Sequence, residues 1–316
     1  MRTDDWETSP TAEPLFQDTV VAVTGASRGW GRATAVLFAQ HRAKVVVNGR
    51  DELSVADVVA EIEGSGGCAR AVVGTVVDDD LPERLVDVAL AEFGSIDVLV
   101  NNAGQMKSAP LLDMSDADWD TVLDIQLRAP FRCARAAARA MRDQRRGGHV
   151  INIAGAAGIR GMAGAANHAA SKAGLLAATW SWALELAPLG IRVNAARAAV
   201  DTDAARKLLV HTPGNPTLSA RDRGYLSPRS AAELVVWLAS PMAEGINGQF
   251  LGLDSEAITL WGRAEPLARI EVDPETLLNA ADRLGARLIA ASSMSQGVGE
   301  ITPALANLDI DHGRQP

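Results

Sequence analysis

Tyrosine occurs once in the 316 residues, at Tyr225, and cysteine twice, at Cys68 and Cys133. Two distant thiols outside any Cys/His cluster give no sign of a disulfide framework or a zinc site, and they read as reduced cytosolic thiols. Positive charge is in deficit: 30 Lys and Arg against 39 Asp and Glu leave a net charge of −9. That balance repels a phosphate backbone, so nucleic acid is not an expected partner. No run of about eighteen apolar residues occurs, so no membrane span is expected. The acidic start Met1-Arg2-Thr3-Asp4-Asp5-Trp6 lacks the basic-then-apolar order of a secretory leader, and a cytoplasmic location is expected. A hydrophobic content of 47% with 22% charged residues excludes a disordered acidic chain and a collagen-like repeat. The expectation is a globular protein with small-molecule or protein partners.

From residue 19 onward, β-branched runs alternate with helical-length segments rich in Ala, Leu and Arg. The runs Val20–Val23, Lys44–Val47, Ile96–Val100, His149–Ile153 and Ile191–Asn194 read as buried strands. This is the βαβ pattern of an α/β fold with a doubly wound parallel sheet. In such sheets ligands bind beyond the carboxyl ends of the strands, so the residues just after each run carry the functional information. Residues 1–18 read as a flexible arm, residues 19–257 as the sheet domain, and residues 258–316 as a C-terminal extension. The extension holds one expected helix, with Asp273 as N-cap, Pro274 as first residue and an end near Leu288.

The first run leads into Thr24-Gly25-Ala26-Ser27-Arg28-Gly29-Trp30-Gly31-Arg32. Small residues let this backbone turn sharply and bring N–H groups to a pyrophosphate at the positive end of a helix. The spacing of Gly25, Gly29 and Gly31 resembles the glycine motif of the short-chain dehydrogenase/reductase family. Asn101-Asn102-Ala103-Gly104, Trp119-Asp120, Ser171-Lys172-Ala173-Gly174, Gly190-Ile191-Arg192-Val193-Asn194 and Ile246-Asn247-Gly248-Gln249 match further stretches of that family, over roughly residues 15 to 253. The resemblance implies a Rossmann-type fold and a nicotinamide cofactor. By it, Gly25, Ser27, Arg28, Gly29, Trp30 and Gly31 would cradle the dinucleotide. Asn102, Ala103 and Gly104 would close its adenosine side, and Lys172 and Thr202 would hold the nicotinamide half. After the second run the chain has Asn48-Gly49-Arg50, where an acid would select an unmodified ribose and a base a 2′-phosphate. With Arg50 there and Arg28 in the glycine loop, the expected cofactor is NADP(H). Two residues depart from the family: Thr75 stands where many relatives place an adenine-contacting Asp, and Trp30 replaces a smaller aliphatic beside the nicotinamide, to crowd the ring or stack on it.

At the chemical end the family uses Asn, Ser, Tyr and Lys, the last two four residues apart on one helix. Here the matching stretch is Asn167-His168-Ala169-Ala170-Ser171-Lys172, so Lys172 is kept and His168 stands for the tyrosine. The serine position falls on Gly155, and no Ser or Thr occurs between Thr121 and Ser171 to replace it. The helix asparagine becomes Gln126, and the Pro-Gly pair near the nicotinamide becomes Ala198-Ala199. Tyr225 sits in Tyr225-Leu226-Ser227-Pro228, a loop entering a helix, and does not restore the motif. An imidazole one turn from an ammonium is biased toward its neutral form, which makes a usable base and a poor acid. Catalysis is therefore assigned to His168, Lys172 and Gln126, with Asn152, Asn167 and Arg160 as other sources of a donor.

Arg128, Arg132, Arg135, Arg139, Arg142 and Arg146 recur at intervals of four and three and form a positive stripe. In relatives this helix and the one carrying Lys172 form the subunit interface, where identical stripes repel unless acids intervene. Trp180 and Trp182 are either interface or core residues. The expected activity is an NADP(H)-dependent oxidoreductase acting on a small-molecule ketone or secondary alcohol, as a homo-oligomer. The alternatives are a non-redox enzyme using His168 as a base, or an inactive subunit in a hetero-oligomer with an active homologue.

Overall fold

A computed structural model describes residues 14–200, 225–254 and 257–263. The chain divides into two units, Met1–Trp261 and Gly262–Pro316. Within the first, one sheet contains β1 Val20–Val23, β2 Lys44–Gly49, β3 Cys68–Val73, β4 Val98–Asn101, β5 Gly148–Ile153, β6 Ile191–Ala198, β7 Phe250–Leu253 and β8 Ile258–Trp261. Their order is β3-β2-β1-β4-β5-β6-β7-β8, with β1 to β7 parallel and β8 antiparallel to β7. The described helices are α1 Gly29–Gln40, α2 Glu52–Gly64, α3 Leu81–Phe93, α4 Asp116–Leu123, α5 Ala129–Gln144, α6 Ala157–Arg160, α7 Ala166–Leu186 and α8 Pro228–Ala239. This is the doubly wound α/β architecture that the alternating runs predict.

Alternate residues along each strand face opposite sides of the sheet. Val21, Val23, Val45, Val47, Val100 and Ile151 pack with apolar residues of α1, α2 and α8. Val20, Ala22, Val46, Leu99 and Val150 pack with those of α3 and α5 and the far end of α7. Burial on both faces is what makes these strands read as continuous apolar runs, and each such side chain contributes roughly 1.5–3 kcal/mol. Strand order reverses between β1 and β4, which opens a crevice at their carboxyl ends. Asp51, Ser115 and Ser227 cap α2, α4 and α8 by accepting backbone N–H bonds from Ser54, Asp118 and Ser230. By contrast, α1 begins at Arg28 with no side-chain cap, leaving its first N–H groups to a ligand or water.

Three strands escape the sequence reading. β3 carries Arg70 and lies at a sheet edge, so its pattern is mixed; β7 and β8 are only four residues each, and β7 contains Gly252. The expected boundary at 257/258 moves accordingly, because Ile258–Trp261 pair with β7. The expected arm does not extend to residue 18. Phe16 is buried against Phe38, ring centres 5.0 Å apart, and its N–H donates to the His41 carbonyl at 3.1 Å. Residues 1–13, Thr202 and the expected helix beginning at Pro274 lie outside the described residues.

Candidate active site

The carboxyl ends of β1, β2, β4 and β5 bring most of the sequence-derived residues to one edge. Gly25 to Gly31 join β1 to α1, Arg50 follows β2, and Asn102 to Gly104 follow β4. Gly25 adopts φ +62°, and a Cβ there would stand 2.8 Å from Ala103 Cα, so the loop lies directly on the β4 segment. A Cβ on Gly31 would collide with Asn102 Nδ2 and the Gly25 carbonyl. Asn102 is a brace: its amide donates to the Thr24 and Gly25 carbonyls at 2.9 and 3.0 Å. Thr24 Oγ1 accepts the N–H groups of Asn102 and Ala103 at 3.0 and 3.1 Å.

Asn48, which sequence reasoning used only as a neighbour of Arg50, completes this frame. Its amide donates to the Val72 and Gly74 carbonyls at 2.9 and 3.1 Å, and its Oδ1 accepts the Gly25 N–H at 3.3 Å. A lone amide at the end of an apolar strand was the available signal, since buried polar side chains are nearly always bonded. Gly49 follows it, and a Cβ there would meet Val55 Cγ2 at 2.7 Å and Ser27 Cβ at 2.9 Å. A side chain at this position would have to displace Val55 and Ser27. Arg28 and Arg50 are exposed, and neither makes an ion pair among the described residues. Trp30 is buried in the layer that also holds Ile153, Ala196 and Val200, and its indole N–H has no partner among the described residues.

The chemical end is built where β5 meets α7. Lys172 is buried and its Nζ donates to the Ile153 carbonyl at 2.7 Å. Burial lowers its ammonium to about 8. His168 lies one turn earlier, half-buried, and burial followed by the Lys172 charge holds its imidazole at about 4. The ring is therefore neutral near neutral pH. His168 Nδ1 is buried without a partner among the described residues, whereas Nε2 lies 3.8 Å from where a Cβ on Gly155 would stand. The same imagined Cβ would be 3.6 Å from Lys172 Cγ, so Gly155, His168 and Lys172 border one space.

Gln126 sits in a five-residue π turn, Asp124–Arg128, between α4 and α5. It is buried, and its amide donates to the Gln105 carbonyl just past Gly104. π turns recur at functional sites because they re-aim a side chain from an otherwise regular helix. Two of the other donor candidates are withdrawn. Asn152 donates to Thr179 Oγ1 at 2.9 Å and accepts from Asn101, and the Asn167 amide donates to the Lys107 and Asp118 carbonyls at 3.0 and 3.2 Å. Both asparagines hold the frame: Asn167 Oδ1 also accepts the His168 N–H at 2.7 Å.

The arginine stripe on α5 is not an unanswered positive surface. Arg128, Arg132, Arg142 and Arg146 pair with Asp124, Asp79, Asp143 and Asp97, and Arg135 lies 4.8 Å over the Phe131 ring. The expected repulsion between identical stripes is thereby weakened by acids that come from four separate places in the sequence. Trp182 tilts against Phe131 at 6.4 Å and lines a surface hollow with Leu123, Leu127 and Ala178, while Trp180 packs toward the core. No helix among the described residues is long and apolar enough to cross a membrane.

Residues 25–255 match a family profile described as enoyl-(acyl carrier protein) reductase. The chain is 36% identical over 240 residues to a 3-oxoacyl-[acyl-carrier-protein] reductase of Thermotoga maritima, covering 74% of this chain and 96% of that one. It is 38% identical over 250 residues to an L-rhamnose 1-dehydrogenase (NAD(P)(+)) of Azotobacter vinelandii, covering 76% and 96%. The crystal structure of a short chain dehydrogenase from Mycobacterium avium superposes with a TM-score of 0.74 at 31% identity, over 86% of this chain and 96% of that one.

Proposed function

The chain belongs to the short-chain dehydrogenase/reductase family, and on that premise we propose that it is an NADP(H)-dependent oxidoreductase interconverting a secondary alcohol and a ketone. The observation that carries the reading is the space shared by Gly155, His168 Nε2 and Lys172, at the strand ends where the glycine loop also lies.

The residues fit the dinucleotide. The close seating of Gly25 and Gly31 on Ala103 and Asn102, together with the uncapped start of α1, supports a pyrophosphate at the α1 N-terminus. Ser27 and Gly29 belong to the same turn. The crowding around Gly49 and the unpaired guanidinium groups of Arg28 and Arg50 support a 2′-phosphate rather than an acid-bound ribose. When bound, NADP(H) supplies the nicotinamide carbon that gives or takes hydride. Lys172, already held by the Ile153 carbonyl, has two ammonium protons left for ribose hydroxyls.

Proton handling follows from the environment of His168. Its neutral ring accepts the proton of an alcohol O–H at Nε2 as the adjacent C–H bond gives up its hydride. The Lys172 charge disfavours a persistent imidazolium, which drives the proton onward to solvent. The reverse direction needs His168 as an acid, and a group titrating at about 4 is sparsely protonated at neutral pH. Oxidation is therefore the faster direction, and Gln126 braces the segment after Gly104 rather than reacting. We assign a homo-oligomer, consistent with the charge-balanced face of α5.

The assay is NADP+ reduction with a panel of secondary alcohols, followed by absorbance, in wild-type protein and His168→Ala. Turnover that falls at least about a hundredfold in the variant supports the reading. Cofactor binding with no hydride transfer from any alcohol or to any ketone favours the second reading, a non-redox or partner subunit, for which the missing hydroxyl at Gly155 speaks.

A further inference from the structure

Two arginines on segments that adjoin Gly155 in the fold share one indole. The guanidinium carbons of Arg160 and Arg197 stand 4.8 and 5.5 Å from the centre of the Trp261 ring. Arg160 ends α6, the short helix that begins two residues after Gly155. That helix is seated on α7 so closely that a Cβ on Gly158 would stand 2.6 Å from the Ala173 nitrogen, next to Lys172. Arg197 lies on β6 one residue past Ala196, whose carbonyl accepts the Ala154 N–H at 2.9 Å. Both arginines thus come from the segments that flank Gly155.

The third piece comes from β8. Trp261 is opposite Phe250, and its ring reaches over Gly252, where a Cβ would stand 2.8 Å from the indole nitrogen and 3.2 Å from Arg197 Cγ. The absence of a side chain at Gly252 is what lets ring and arginine stem lie together. The indole N–H is buried and has no partner among the described residues. Neither guanidinium forms an ion pair or donates a hydrogen bond among the described residues. Burial, and after it the Arg160 charge, holds Arg197 below its ordinary value, with Asp254 pulling the other way. Two like charges held near one another with no ion pair to either among the described residues are unfavourable, and an anion seated there offsets the repulsion.

We infer that the substrate of the His168 centre carries an anionic group, a carboxylate or a phosphate ester, that seats between Arg160 and Arg197 with the Trp261 N–H as a further donor. Planar guanidinium groups fork onto either kind of anion, and the indole face holds them in place. The position of the anion relative to the reacting carbon rests on the proposed function; the anion site itself does not. A neutral sugar or a simple alcohol leaves these donors unspent.

The test uses full-length protein labelled with ¹⁵N-arginine, with the Nε–H signals of Arg160 and Arg197 assigned from R160Q and R197Q. Wild-type protein is titrated with hexanoate, hexyl phosphate and hexan-1-ol. A saturable shift of both signals with one or both anions, and none with the alcohol, is expected; the anion that binds tighter identifies the headgroup. The inference is overturned if neither anion shifts them, or if sodium chloride at equal ionic strength does the same. A second arm compares 3-hydroxyhexanoate with its methyl ester as substrates for NADP+ reduction. The acid should have the higher kcat/KM, and R197Q should raise its KM about tenfold to a hundredfold and so narrow its advantage over the ester. An ester that is turned over faster than the acid overturns the inference. Saturable shifts without turnover of either compound sink the redox reading and leave the anion site standing.

Discussion

Replacing His168 with glutamine should remove about 2 kcal/mol of pH-dependent stability between about pH 7 and about pH 5. In the folded protein, burial and then the Lys172 charge hold the imidazole at about 4, against 6.5 for the free side chain. The unfolded chain therefore binds more protons than the folded one between those two values. Stability from this group is fully present above 6.5 and is lost as pH falls toward 4. The whole gap is worth about 3 kcal/mol, of which about 2 falls in the stated interval, somewhat less to the extent that water reaches the ring edge. His149 is also buried and held neutral, chiefly by desolvation, and titrates in the same sense. It remains in the variant, so the wild-type minus H168Q difference isolates His168. Urea unfolding of both proteins at several pH values in this range gives that difference. A difference that does not change with pH would mean an ordinary imidazole, and the argument for a neutral base would fail.

Gly31→Ala drives a methyl group into Asn102 Nδ2 and the Gly25 carbonyl. It should destabilise the fold by about 1–3 kcal/mol in urea and abolish dinucleotide binding in calorimetry, because the brace and the loop move together. Arg50→Ala should reduce the preference for NADP+ over NAD+ about tenfold or more in kcat/KM, with kcat for NAD+ unchanged. The Cβ of Gly155→Ser meets only ordinary contacts, 3.6 Å from Lys172 Cγ and 3.8 Å from His168 Nε2. It should leave stability within about 0.5 kcal/mol and raise ketone reduction by tenfold or more, since it adds the missing oxyanion donor. Unchanged reduction by G155S would show that the space is not where the carbonyl sits.

The strands around β1 were legible because burial on both faces leaves unbroken runs of Val, Ile and Leu, and the glycine loop because sharp turns and close approach leave few residue choices. The substitution of His168 for tyrosine was visible through the resemblance to the family, whose tyrosine and lysine stand four residues apart, one helical turn. What spacing could not give was the imidazole's environment: its burial comes from elements brought together only in the fold. Nor could it give the partners of the α5 arginines, because Asp79 and Asp97 come from other parts of the chain. The pairing of Arg160 with Arg197 and Trp261 joins residues about a hundred positions apart through β8, a strand too short and too exposed to announce itself. Asn152 and Asn167 looked like donors because their amides are chemically suited; only their hydrogen bonds reveal them as struts.

Isothermal titration of the purified protein with NADP+, NADPH and NAD+ addresses the nucleotide edge without needing a substrate. Saturable binding of both phosphorylated dinucleotides, tighter than NAD+ and weakened by R50A, is the predicted result. No detectable association with any of the three would contradict the account at its base.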